Sequence, residues 1–149
     1  MAYSGNFRPR NPQKYIGDHT KIIWRSTWER RVMTWLDEHD EVIAWGSEEL
    51  VIPYVSPVDG KYHRYFPDMI AKMKNRQGKL QTFVIEIKPH KQTKEPAPRK
   101  RKTRQYITEV ATYAVNVAKW KAAEEYCLDR GWQFIKMTEE NNPWMAPKC

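Results

Sequence analysis

Residues 65–88 read YFPDMIAKMKNRQGKLQTFVIEIK, and this stretch decides the fold. Two apolar-rich segments, Tyr65 to Lys74 and Lys79 to Lys88, flank the polar connection Asn75-Arg76-Gln77-Gly78, which predicts a β-hairpin. In the second segment Phe83, Ile85 and Ile87 alternate with Thr82, Val84, Glu86 and Lys88, so Glu86 and Lys88 project from one face. The start of one antiparallel strand lies opposite the end of its partner, which brings Asp68 toward Glu86. Pro67-Asp68 is thus followed, after seventeen residues, by Glu86-Ile87-Lys88.

Two converging carboxylates repel, and a cation between them relieves that repulsion. With oxygen donors and no His or Cys, the pair favours Mg²⁺, with Mn²⁺ as a substitute, over zinc. The backbone carbonyl of Ile87 is a candidate third oxygen ligand. Lys88, on the carboxylate face, is suited to activating water or stabilising charge on a phosphate. The set fits metal-assisted phosphodiester hydrolysis. The alternative is that Asp68 is a turn residue after proline and that Glu86 and Lys88 are a solvated charge pair. Against it, Glu86 sits inside the apolar run Phe83 to Ile87, where an unpaired carboxylate is costly.

Outward from the hairpin, Ser26 and Glu29 have the spacing of a capping box, and Trp28, Val32, Trp35 and Leu36 share a face of the helix that follows, to about His39. Glu29 therefore has two readings: it closes the cap, or it projects toward Asp68 and Glu86 and supports a metal or a water there. Val42 to Trp45 and Glu49 to Val55 read as strands, with a loop at Pro57, Asp59 and Gly60. Beyond Lys88, residues 89–104 form a predicted basic, proline-bearing loop. Two helical stretches follow, one after Thr103 on the face Tyr106, Val110, Ala114 and Val117, the other from Lys119 to a stop at Gly131. A last strand spans Trp132 to Thr138. Residues 1–20, with Pro9 and Pro12, read as an irregular arm, and 139–149, with Pro143 and Pro147, as an irregular tail. Trp28, Trp35, Trp120 and Trp132 are assigned to the core. This order gives an α/β class with a mixed sheet flanked by helices.

Composition bounds the rest. The chain has 149 residues, 40% hydrophobic and 13% aromatic, enough to bury one core as a single domain. No apolar run approaches the ~20 residues that span a bilayer, and the polar first twenty residues do not read as a signal peptide, so no membrane partner is expected. Cys127 and Cys149 make neither a disulfide scaffold nor a zinc site, which points to a reducing compartment. The net charge is +8, and residues 88–104 hold eight basic residues against one acid, Glu95. Lys91, Lys94, Arg99, Lys100, Arg101, Lys102 and Arg104 are candidate contacts to a nucleic-acid backbone, with Arg64 a further candidate; a solvated loop is the alternative. His63 and His90 read as loop histidines.

The order Glu29, Pro67-Asp68, Glu86-Ile87-Lys88, then helix and strand, resembles the PD-(D/E)XK nuclease superfamily. Arg25-Ser26-x-x-Glu29, the block Trp45 to Tyr54, His63 to Asp68 and Ile85 to Pro89 look like the head-completion nucleases of T-even-like tailed phages. Trp132 to Glu139 also resembles the end of the catalytic domain in TnsA-type transposon endonucleases. The resemblance spans roughly residues 24 to 138. It implies a restriction-endonuclease-like αβββαβ core, with Asp68, Glu86 and Lys88 at the catalytic positions and Glu29 as the helix acid. It also implies a DNA endonuclease acting on double-stranded DNA at the portal end of a filled head before tail attachment, in the host cytoplasm during assembly or on the virion. Other readings keep a DNA-end-binding structural protein, or a transposition or branched-DNA endonuclease, in view. Oligomeric state and metal count are open at this stage.

Overall fold

The structure is a computed structural model, and it describes residues 4–141. Strand β1 (Gly5–Asn6) pairs antiparallel with β2 (Ile23–Trp24), and helix α1 (Thr27–Glu38) follows. Then come β3 (Val42–Ser47), β4 (Ile52–Val55), β5 (Tyr62–Tyr65), β6 (Met69–Lys74), β7 (Leu80–Ile87), helix α2 (Arg104–Arg130) and β8 (Gln133–Met137). The central sheet has the order β3-β6-β7-β8. Its first two pairings are antiparallel, and β7 runs parallel to β8, a pairing that needs a crossover, supplied here by α2. With β4 and β5 set apart as their own hairpin, α1-β3-β6-β7-α2-β8 is an αβββαβ core around a mixed sheet.

Local chemistry explains the elements that the sequence marks. Ser26 caps α1, its Oγ accepting from the Glu29 N–H at 3.1 Å. The Asn75 side chain stitches the β6–β7 turn by accepting from the N–H groups of Gln77 and Lys79. Gly131 ends α2 in the left-handed region at φ 70°. One apolar cluster, including Ile22, Met33, Leu36, Trp45, Met69 and Ile85, fills the space between α1 and the sheet. A second, built on Ile52, Tyr54, Tyr65, Trp120 and Ala123, lies between α2 and the β4–β5 hairpin. Because β7 alternates, Phe83 and Ile85 feed the first cluster while Glu86 turns to the side of Tyr65 and α2. No helix among the described residues is long and apolar enough to cross a membrane.

Several expectations need correction. The arm is not irregular: besides β1, it carries a 3-10 turn at Pro12–Lys14, and the Ile16 N–H donates to the Trp45 carbonyl at 2.7 Å. Its order is tertiary. The buried Asp37 carboxylate accepts from the Arg10 N–H at 2.8 Å and from the Asn11 N–H at 3.3 Å, and Lys14 Nζ donates to the carbonyls of Asp37 and His39. Asp37→Ala is expected to cost roughly 2–4 kcal/mol, because it removes a buried carboxylate and leaves the partly buried N–H groups of Arg10 and Asn11 without their acceptor. Urea denaturation measures this, and a cost under 0.5 kcal/mol on such a scale would show that the arm is not held there.

Pro67 divides the first hairpin segment, so Tyr65 ends β5 and β6 begins at Met69. The two predicted helices are one, since neither glycine nor proline interrupts residues 104–130. Its expected apolar face is buried only at Tyr106, whereas Val110 and Val117 are exposed. The basic loop contains a 3-10 turn at His90–Thr93, and Arg104 belongs to α2, capped by Thr103 Oγ1. Trp120 is buried, and Trp28, Trp35 and Trp132 are partly so, Trp132 packing beside Tyr126. Among the described residues the deepest tryptophan is Trp45. Cys127 is buried, and burial pushes its thiol up to about 11. Of the tail, Thr138 to Asn141 close a turn, while Pro143, Pro147 and Cys149 lie outside the described residues.

Candidate active site

The β6–β7 register pairs Met69 with Ile85, which leaves Asp68 one step beyond the ladder, across from Glu86. The Ile87 N–H donates to Asp68 Oδ2 at 2.7 Å, so β7 itself orients the aspartate. Glu86 is 7% exposed, and its Oε1 accepts from the Tyr65 hydroxyl at 2.5 Å. Its other oxygen, Oε2, faces Lys88 Nζ at 3.7 Å, the same-face arrangement that the period of two predicts. The Lys88 N–H donates to the Met137 carbonyl, which fixes the end of β7 against β8.

The electrostatics are those of an acid pair deprived of solvent. Burial first, and the Glu86 charge second, push Asp68 up to about 8. Burial also raises Glu86, against the opposing hydrogen bond from Tyr65 and the charges of Lys88 and Lys119. Tyr65 is pushed up by burial and by its acidic neighbours, so it remains a hydroxyl donor. Glu29 is raised as well, by burial and then by the nearby charges of Glu48 and Glu86.

The sequence-predicted residues are not all brought together. Asp68, Glu86 and Lys88 converge. Glu29 lies close enough for its charge to act on Asp68, but its Oε1 accepts from the Arg25 N–H at 3.4 Å, one residue before the expected capping-box partner. Among the described residues no three His, Cys, Asp or Glu side chains form a metal-holding group. In the basic segment, Lys91, Lys94, Lys100 and Arg101 are exposed, while Arg99 pairs with Glu109 at 3.8 Å and, with Lys102, lies over the Tyr106 ring. Arg64 is exposed beside Phe66. His63 pairs with Asp59 and His90 with Glu140.

Sequence reasoning missed four neighbours of the acids. Tyr65 holds Glu86, and Lys119 from α2 lies over the Tyr54 and Tyr65 rings with its charge acting on Glu86. Arg25 and Glu48 form an ion pair at 3.0 Å beside Glu29. Tyr65 was legible in principle from its place in the strand leading to Asp68; Lys119 and the Arg25–Glu48 pair depend on contacts between distant segments.

An αβββαβ core that gathers two acids and a lysine where its central antiparallel strands meet is the plan of a restriction-endonuclease-like nuclease. Residues 39–139 match the family described as TnsA-like endonuclease N terminal, and the chain belongs to it. It is 45% identical over 144 residues to the head completion nuclease of Enterobacteria phage T4, a match that covers 94% of this chain and 93% of that protein. No solved structure gives a significant match.

Proposed function

We propose that the protein is a Mg²⁺-dependent DNA endonuclease that processes packaged double-stranded DNA during phage head completion, before tail attachment. The observation that carries the chemistry is the opposed Asp68 and Glu86 pair beside Lys88. Its fit to a divalent cation rests on the donors. Among the described residues Asp68 Oδ1 accepts no hydrogen bond, both acids are raised by burial, and two carboxylates suit an ion that keeps several waters. Asp68, Glu86 and the Ile87 carbonyl would hold it, with Glu29 acting on a ligated water rather than directly.

A bound divalent cation supplies Lewis acidity and a lowered water pKa at such a site. The chain's own residues do the rest. Tyr65 holds Glu86 by one oxygen, leaving the other toward Lys88. Lys88 orients the attacking water and neutralises charge as it grows on the phosphate. The basic residues Lys91, Lys94, Arg99, Lys100, Arg101, Lys102 and Arg104, with Arg64, grip the backbone in a salt-dependent, sequence-independent way. The setting is the infected host cytoplasm during assembly, with portal or head-completion proteins as partners.

The test is incubation of purified protein with linear, circular and branched DNA, with Mg²⁺, with Mn²⁺ and with chelator. Cleavage of linear and circular duplex that chelator abolishes is expected. Binding without cleavage under every condition would leave a DNA-end-binding protein, and cutting confined to branched DNA would replace the head-completion role.

A further inference from the structure

Among the described residues Glu48 is the one non-glycine residue with positive φ, at 54°. The left-handed region disfavours a glutamate and suits glycine, and such conformations persist where surrounding contacts hold them. Here the contacts connect the two sides of the candidate site. The Glu48 N–H donates to the Asp68 carbonyl at 3.2 Å. Glu48 Oε2 accepts from Arg25 Nε at 3.0 Å, and the Arg25 N–H in turn donates to Glu29 Oε1.

A glycine would serve the backbone at this turn at least as well, so the side chain is the reason for the glutamate. Its one ion pair does not repay the strain in stability, because the Arg25 and Glu48 side chains are 60% and 36% exposed and such pairs contribute little. The pair does fix a guanidinium beside the acids. Nε is engaged, while among the described residues the terminal nitrogens of Arg25 donate no hydrogen bond, and its charge acts on Glu29 and Asp68. A fork of free donors held at the edge of a carboxylate cluster suits a phosphate oxygen, which those carboxylates would otherwise repel.

We propose that Arg25 contacts the DNA phosphate backbone at the cleavage site and that Glu48 is its positioning residue, kept in a strained conformation for that purpose. The proposal rests on the nuclease reading above and names a substrate contact within it. The test uses the full chain with a labelled duplex. Cleavage is followed with Mg²⁺, binding is followed in chelator across a salt series, and thermal melting is recorded for each variant.

Glu48→Gly is expected to melt at or above the wild-type temperature yet cut roughly 10-fold more slowly, a combination that a purely structural role does not produce. Arg25→Ala is expected to cut roughly 100-fold more slowly and to lower the salt slope of binding by about 1, the signature of one lost phosphate contact. Arg25→Lys should restore the slope but only part of the rate, and Arg25→Ala with Glu48→Gly should be no slower than Arg25→Ala alone. Unchanged cleavage by Glu48→Gly, or an unchanged salt slope for Arg25→Ala, overturns the proposal. Wild-type protein that binds but never cuts would overturn the nuclease reading alone, because the salt slope without metal still decides the Arg25 contact.

Discussion

Replacing Lys88 with alanine is expected to lower Mg²⁺-supported DNA cleavage by roughly 10³-fold while leaving affinity for duplex DNA within about 3-fold. The reasoning follows from position. Lys88 is one of eight basic residues between 88 and 104, so binding in chelator, which sums many phosphate contacts, barely registers its loss. In the proposed mechanism cleavage relies on the Lys88 ammonium, 3.7 Å from Glu86, so its loss removes charge stabilisation at the phosphate. Asp68→Ala should be at least as damaging, since it removes one of two carboxylates and frees the Ile87 N–H that holds the end of β7. Single-turnover cleavage beside binding in chelator separates the two effects. Full activity in either variant would remove that residue from the chemistry, and loss of binding in step with loss of cleavage would mean that the variants report on grip.

The second large effect is on stability and has a definite sign. In the unfolded chain Asp68 ionises near the ordinary value of 3.8, whereas in the native protein it holds its proton up to about 8. Between those values the native state binds the extra proton, so raising the pH favours the unfolded chain. The stability associated with Asp68 is complete below pH 4 and is lost progressively as pH rises through 8. Asp68→Asn keeps an oxygen to accept from the Ile87 N–H and removes the ionisation. In chelator at pH 8 the Asn variant should therefore exceed the wild type by roughly 2–4 kcal/mol, with the difference shrinking toward zero near pH 4. Added Mg²⁺ should close the gap by stabilising the wild type alone. Urea melts at pH 4, 6 and 8 provide the measurement, and a difference that does not change with pH would show that Asp68 is already ionised in the metal-free protein.

What could be read in the sequence was local. Ser26 before α1, the Asn75–Gly78 turn, Gly131 after α2 and the alternation through Glu86 each carry their structural instruction within a few residues, and each stands as read. The arm fails as a reading because its order comes from Asp37, more than twenty-five residues away, and not from any periodicity of its own. The reading of two helices fails because residues 104–130 form one continuous helix, exposed at Val110 and Val117 and buried at Trp120, Ala123 and Cys127. The site divides the same way. Asp68, Glu86 and Lys88 follow from one hairpin, whereas Tyr65, Lys119 and the Arg25–Glu48 pair reach the acids from separate elements.

The continuity of α2 gives the molecule a scale. Its first residue, Arg104, closes the basic segment, and Lys119 farther along lies over Tyr65 beside Glu86. Between them an unbroken α-helix advances about 22 Å, the rise of six to seven base pairs. Two flexibly joined helices would let the proposed grip and the candidate active site drift relative to each other. A single rod fixes Arg104 and Lys119 at one spacing, so the end of the basic segment and the lysine beside Glu86 keep a constant separation set by the backbone of α2 itself.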